Sequence, residues 1–466
     1  MNASVTKKPK ITACDRCYGL KERCDRISPS ASCARCHRLG LGCLTVRPVR
    51  PAGRRVHRTD SVSRLTLGSS KTLQQQCQSS IDACLNMLNL QPEEKELLMF
   101  LLSQPESLNQ YVACPSFQAV QQQLFSVQLS AALPSLKDAL LACAITLKQS
   151  RTAMVTDTTF TVQYILKAMN VLRSLPVLSS QDVVLCNALG GLLAFSISSA
   201  IGVGVPDICR HCLGTTTPFV ETTVSDAQND PWKSFLILLE TMDCLVYRQK
   251  PILRIRVPSS AVVDCRLGLR LPLLPYYHDL CVISNSLINI TDINVLACLQ
   301  KQLDDIRCIV EPWRPSHLDQ LVEEFDSTEI VHLLAQAKVY RLGALLLGHR
   351  LRFPFGQKDA QAEIWSKEIM MELEIAKGVT KRSMRFVTLP FIIAAVEVRD
   401  KNLRFKTLEL VDDCVDHYAQ FLQKATKTFL SRIWQERDLN LTTCWFDSVY
   451  KPCPVLDSIN ATCFSG

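Results

Sequence analysis

Apolar residues recur at helical spacing along most of the chain beyond residue 93. Leu333, Ala337, Tyr340, Ala344, Leu347 and Leu351 fall four and three residues apart until Pro354 stops the run, and a stripe of that period lines one face of a helix. Leu408, Val411, Val415, Tyr418, Leu422, Ala425 and Phe429 repeat the habit, as do Leu136, Leu140, Cys143 and Leu147. Short connections between such stripes predict packed helices sharing a core rather than exposed coiled coils. The expected fold class is therefore all-α, with a large helical domain over 73–443 and a C-terminal tail over 444–466. One region departs from the pattern. Across 252–274 arginines alternate with apolar residues, which predicts an extended segment.

Two other stretches need weighing. Residues 183–206 carry no charge and are long enough to span a membrane. Asn187, three serines, the pair Gly190-Gly191 and the break at Gly202 and Gly204 favour the buried central helix of a large helical domain instead, so no membrane partner is expected. Cys77, Ile81, Cys84 and Leu88 are spaced four, three and four before Pro92 closes the segment. Two heptads fall short of the three or four that argue for a coiled coil. Packing on the following domain is expected, with helix pairing into a homodimer as the alternative.

The N-terminal segment shows neither stripe nor alternation. Cys14 and Cys17 are separated by two residues and Cys24 follows after six; Cys33, Cys36 and Cys43 repeat those gaps in the same order. This is an internal repeat of a metal-ligand unit, in which a Cys-x-x-Cys pair at the start of a helical turn grips one ion and the later cysteine adds a ligand. Two tetrahedral ions need eight ligand positions and six thiolates supply six, so two sulfurs bridge or other ligands join. No histidine sits at zinc-finger spacing, and bridging is the simpler account. So short a segment cannot bury enough apolar surface to fold alone, and metal supplies the folding energy.

The spacing, together with Lys21, Arg23, Cys24 and the loop proline Pro29, resembles the fungal binuclear zinc cluster of transcription regulators. The resemblance implies two Zn(II) ions held by Cys14, Cys17, Cys24, Cys33, Cys36 and Cys43, with the first and fourth cysteines, Cys14 and Cys33, bridging. It also implies a first helix that enters the major groove at a CGG triplet, where a lysine reads base edges; by register that lysine is Lys21. Arg16, Arg23 and Arg26 are expected on phosphates. The chain differs from the family in having Tyr18, Gly19 and Leu20 where basic residues are usual, and in the placing of Pro29. Glu22 is expected to point away from DNA or to pair with Arg26.

Aligning the two halves sets Lys21 against Gly40, Glu22 against Leu41 and Arg23 against Gly42. The first half keeps the cations and is expected to read bases; Arg35, His37 and Arg38 of the second are expected to reach phosphates, which position without specifying. Segments 345–355 and 388–398 resemble recurring helices of the regulatory domain that accompanies this cluster, implying an all-helical interaction domain without catalysis.

Charge sharpens the division. Residues 1–60 hold fourteen Lys and Arg against four Asp and Glu, a balance of +10, so the remainder carries about −2 of the net +8. A basic arm of this kind suits a polyanion, most simply double-stranded DNA. Residues 47–72, with Arg47, Arg50, Arg54, Arg55 and Arg58, read as a basic flexible linker after a 1–46 cluster domain. With Lys7, Lys8 and Lys10 the linker also suits nuclear import. Sixteen of the 22 cysteines lie scattered outside the cluster, and the N-terminus has no apolar run of the secretory kind. A reducing compartment is expected, and the sequons at Asn2, Asn289, Asn440 and Asn460 are taken as chance matches.

Other motifs carry less. Cys209 and Cys212 form a second Cys-x-x-Cys without a partner pair and are expected on a buried helix. Arg248, Lys250, Arg254 and Arg256 are expected to fold against acidic helices, with an acidic effector as the alternative. The tail's Trp445, Phe446, Asp447, Asp457 and Phe464 mix aromatic and acidic residues as activation segments do, with docking on the helical domain as the alternative. No metalloprotease helix, nucleophile elbow or phosphate loop is present. The expected protein is a nuclear, non-enzymatic, sequence-specific transcription regulator partnered by CGG-containing DNA and by transcription machinery or co-regulators. A zinc-dependent interaction module without base readout is the rival.

Overall fold

The computed structural model describes residues 13–45, except 22, 27, 29 and 30, and 90–444, except 104–111, 153–158, 223–229, 258–262, 289, 317, 417 and 418. The chain divides into two compact units, Met1–Leu67 and Gly68–Gly466. The linker arginines, the 77–88 heptads, Glu22, Pro29 and the tail beyond 444 lie outside the described residues.

The regular elements among these residues are helices; an isolated antiparallel bridge, Asp264 to Gly268, is the remaining pairing. The N-terminal unit contains α1 (Asp15–Gly19) and α2 (Ala34–Arg38). The second unit contains α3 (Pro92–Ser103), α4 (Gln118–Thr152), α5 (Thr159–Ser174), α6 (Ser180–Ala200), α7 (Val205–Thr222), α8 (Pro231–Val246) and α9 (Leu274–Ser286). These are followed by α10 (Ile293–Val310), α11 (Leu318–Glu324), α12 (Ser327–Arg352), α13 (Asp359–Thr380), α14 (Thr388–Ala395), α15 (Lys401–Cys414) and α16 (Gln420–Asp438). The fold is all-α.

Two long apolar helices, α6 and α12, are long and apolar enough to cross a membrane, and most of each is buried inside the body. Helix α6 begins with a capping box, in which the Ser179 side chain and the Asp182 side chain satisfy each other's backbone N–H groups. It is then buried on all sides from Cys186 to Ile197, as the charge-free sequence leads one to expect. Its paired glycines permit close approach: a Cβ at Gly190 would meet Cys212 Sγ at 2.3 Å, and one at Gly191 would meet the Trp232 ring at 2.2 Å. Helices α5, α7 and α8 pack around α6, while α10, α13 and α14 pack around α12.

The predicted stripes hold with one correction. Leu333, Ala337, Tyr340, Ala344 and Leu347 are buried on α12, and Leu136, Leu140, Cys143 and Leu147 on α4. The stripe from Leu408 to Phe429, read as one helix, is broken between α15 and α16. Asp416 accepts hydrogen bonds from the Phe386 N–H and the Thr388 hydroxyl, at 3.0 and 3.1 Å, so a tertiary contact replaces the next turn. The 252–274 region forms no strand among its described residues; it runs irregularly into the Asp264 to Gly268 bridge and a turn of 3-10 helix at Leu271–Leu273.

The segments 345–355 and 388–398 meet in the core. Arg350 on α12 makes a two-pronged ion pair with Glu397, both contacts at 2.8 Å, and reaches Asp359 at 2.8 Å. Its third nitrogen donates to the carbonyls of Phe353, Pro354 and Gln357. A buried charge pair is tolerated when its remaining hydrogen-bonding capacity is used in this way.

Candidate metal centre

Helices α1 and α2, of five residues each, are too short to persist on propensity. A cysteine starts each of them. Cys14 and Cys33 are N-caps with extended backbone, and their sulfurs accept from the N–H groups of Cys17 and Cys36 at 3.5 and 3.3 Å. The third cysteine of each half accepts from the first: Cys14 N–H to Cys24 Sγ and Cys33 N–H to Cys43 Sγ, both at 3.3 Å. The halves also interlock. Asp15 N–H donates to Leu44 O at 3.0 Å, and Ala34 N–H donates to Asp25 O at 3.1 Å. The repeat in spacing is thus a repeat in backbone hydrogen bonding.

The sulfurs converge. Cys14 Sγ lies 4.0 Å from Cys33 Sγ and 3.8 Å from Cys36 Sγ, and Cys17 Sγ lies 3.8 Å from Cys33 Sγ. Four thiolates at the usual zinc–sulfur distance of about 2.3 Å sit about 3.8 Å apart, so these separations fit tetrahedral ligation. Two quartets form, each with its sulfurs within 4.8 Å of one another: Cys14, Cys17, Cys24 and Cys33; and Cys14, Cys33, Cys36 and Cys43. Cys14 and Cys33 belong to both. The six cysteines are clustered and could bind metal.

Backbone geometry also separates these two thiols from those of Cys17, Cys24 and Cys36. The Cys36 N–H, first among several donors, draws the Cys33 thiol down to about 6, and the Cys17 N–H draws that of Cys14 down. The neighbouring Cys33 sulfur pushes Cys36 up to about 12, and burial pushes Cys17 and Cys24 up.

No family model, curated protein or solved structure matches the chain.

The cations expected to face DNA are placed differently from one another. Lys21 is not within α1: it follows the C-cap Leu20, is exposed, and takes left-handed backbone at φ 53°, its N–H donating to Tyr18 O at 3.1 Å. Gly40 occupies the equivalent place in the second half at φ 62°. Arg16 is exposed. Arg23 is exposed and pairs with Asp25 at 3.2 Å. Arg26 is half-buried; its Nε donates to Ala31 O at 3.0 Å and its NH1 to Thr45 Oγ1 at 2.6 Å, which ties the two halves together. In the second half Arg35 is half-buried, while His37 and Arg38 are exposed.

In the helical body, Cys209 and Cys212 face the buried side of α7 and join no metal-binding group among the described residues. Of the basic cluster, Arg254 pairs with Asp279 at 2.8 and 2.9 Å, and Arg248 donates to Ser284.

Proposed function

We propose that the chain is a sequence-specific DNA-binding transcription regulator of the nucleus, acting through a cluster of two Zn(II) ions held by Cys14, Cys17, Cys24, Cys33, Cys36 and Cys43. The observation that carries this reading is the membership of Cys14 and Cys33 in both sulfur quartets. Six thiolates provide eight ligand positions only if two are shared. Bound zinc would supply the crosslinks and folding free energy that a unit of this size lacks. With every position filled by sulfur, no open site is left for a substrate, so the reading is non-catalytic.

In this account Lys21 reads base edges of a CGG-like half-site in double-stranded DNA. Its left-handed backbone turns the chain at the end of α1. Arg16 contacts phosphate, and Arg23 does so after exchanging Asp25 for a phosphate oxygen. Arg26, expected on phosphate, also serves the module by holding Ala31 and Thr45. The helical body would receive transcription machinery or co-regulators, and both monomer and homodimer suit the reading.

A second reading is favoured by one observation. Tyr18 and Leu20 are 65% and 58% exposed where cations would strengthen phosphate binding, which suits a zinc-dependent interaction module that never reads bases. Selection from random oligonucleotides with the full-length protein, with the salt slope of binding, separates the two. The regulator reading expects enriched CGG and a loss of about 1–3 kcal/mol with relaxed preference for Lys21→Ala. Equal affinity of wild type and Lys21→Ala for selected and scrambled DNA contradicts it.

A further inference from the structure

Helices α13 and α15 are tied at both ends and open between. Arg399, just before α15, pairs with Asp359 at the start of α13, and Lys377 near the end of α13 pairs with Asp413 near the end of α15. Residues between these ties line a groove of about 250 Å³, far more than the ~10–15 Å³ that one water needs. Met370, Met371, Val398, Leu403 and Leu410 supply its apolar surface. Met371 and Leu403 are 53% and 44% exposed, so the groove holds apolar surface that a docked chain would take out of water.

Most charges around the groove are already used. Lys367 pairs with Glu363 at 2.7 Å, Arg350 holds Glu397, and Asp400 accepts from the Leu403 N–H at 2.9 Å as the N-cap of α15. Lys406 on α15 and Glu374 on α13 also line the groove; both are exposed and enter no ion pair among the described residues. The described part of the chain ends beside the same groove. The Phe355 N–H donates to Thr443 O at 2.7 Å, and the Phe355 ring lies 3.9 Å from the Arg437 guanidinium, which reaches Glu397 at 3.6 Å. The next N–H, that of Gly356, donates at 3.0 Å to Asp359, the partner of Arg399. These contacts set Cys444 down at the Asp359–Arg399 end of the groove, and residues 445–466 follow it.

We propose that residues 445–451 of this same chain occupy the groove. Phe446, Val449 and Tyr450 cover Met370, Met371, Leu403 and Leu410, while Asp447 meets Lys406 and Lys451 meets Glu374. Seven extended residues span up to about 25 Å, enough to pass along the groove from its near end. The order of charges fits that path. Lys406 stands seven residues past Arg399, whereas Glu374 stands fifteen past Asp359, and Asp447 precedes Lys451. Burial of apolar surface holds the segment, and the two exposed ion pairs set its register. The docked tail closes this face of the helical body, independently of what the cysteine cluster reads.

Carbodiimide crosslinking of the zinc-loaded full-length protein, read by peptide mass spectrometry, tests this, because the reagent joins amines directly to carboxylates in contact with them. Asp447–Lys406 and Glu374–Lys451 crosslinks are expected, and a mixture of unlabelled and isotope-labelled protein should give them within single chains. Val449→Ser combined with Tyr450→Ser should abolish both and raise the acetylation of Lys406 by a soluble acylating reagent. Leu403→Asn, on the groove wall, should do the same, and Val322→Asp, exposed on α11, should leave both crosslinks intact. Absence of both crosslinks in the wild type, or their persistence in the tail and groove variants, overturns the docking. Crosslinks between differently labelled chains overturn it in favour of a second copy. Protection of Lys406 from acetylation without any tail crosslink overturns it in favour of another occupant.

Discussion

In the N-terminal unit the buried cluster consists of Cys14, Cys17, Cys33 and Cys36, with Cys24 and Cys43 packed against it, while Tyr18, Leu20, Leu39 and Leu44 stay exposed. In the helical body one core gathers leucines, aromatics and small residues from α3 through α16, and cysteines are merely some of its apolar side chains. The same residue type therefore does two kinds of work. Where six cysteines converge and form the one buried cluster among the described residues of their unit, they could hold metal; where they are scattered on helical stripes, they are packing. The difference teaches that removing metal and removing packing should act on separate parts of the chain.

The largest effect expected is from chelation. Structural zinc contributes about 10–16 kcal/mol to small modules of this kind, so a strong chelator should unfold the N-terminal unit while far-ultraviolet circular dichroism retains the helical signal of the body. Loss of both signals together would break the comparison. Next comes Arg350→Met in the body, which leaves the buried Glu397 with only the longer Arg437 contact at 3.6 Å. A loss of about 3–5 kcal/mol, read by thermal unfolding, should leave the zinc content of the purified protein unchanged. The smallest effect is at helix starts. Ser179→Ala removes half of the α6 capping box and should cost about 1 kcal/mol, measured by denaturant unfolding. The corresponding N-caps of α1 and α2 belong to both sulfur quartets, so on the proposed reading Cys14→Ser should remove metal binding rather than merely weaken a helix.

Much of this was legible in the sequence, for reasons that differ by region. The convergence of the six cysteines could be read because thiolate ligation would fix residue type and spacing, and Cys14 and Cys33 belong to both quartets, as bridging sulfurs of the family resemblance would. The stripes on α4 and α12 could be read because burial imposes a 3.6-residue period. The left-handed turn at Lys21 was harder to see, yet its signal was present: the repeat aligns it with Gly40, and glycine at one copy of a turn marks the backbone required at the other. Arg26 gave no such clue, since a half-buried tie to Ala31 and Thr45 depends on how the halves fold together. The break before α16 also lacked a local signal, because no proline or glycine stands between Val415 and Ala419 and the cause lies in Phe386 and Thr388. The buried Arg266 and Arg270 were hidden for a related reason: alternation with apolar residues suggested a strand, whereas the turn at Gly268 points them inward.

Native mass spectrometry of the full-length protein, purified with zinc and compared with its Cys14→Ser and Cys33→Ser variants, tests the shared-sulfur cluster most directly. The account predicts two zinc ions per wild-type chain and loss of both in either variant, because each bridging sulfur serves both metals. A single zinc in the wild type, or one zinc retained by both variants, would contradict it.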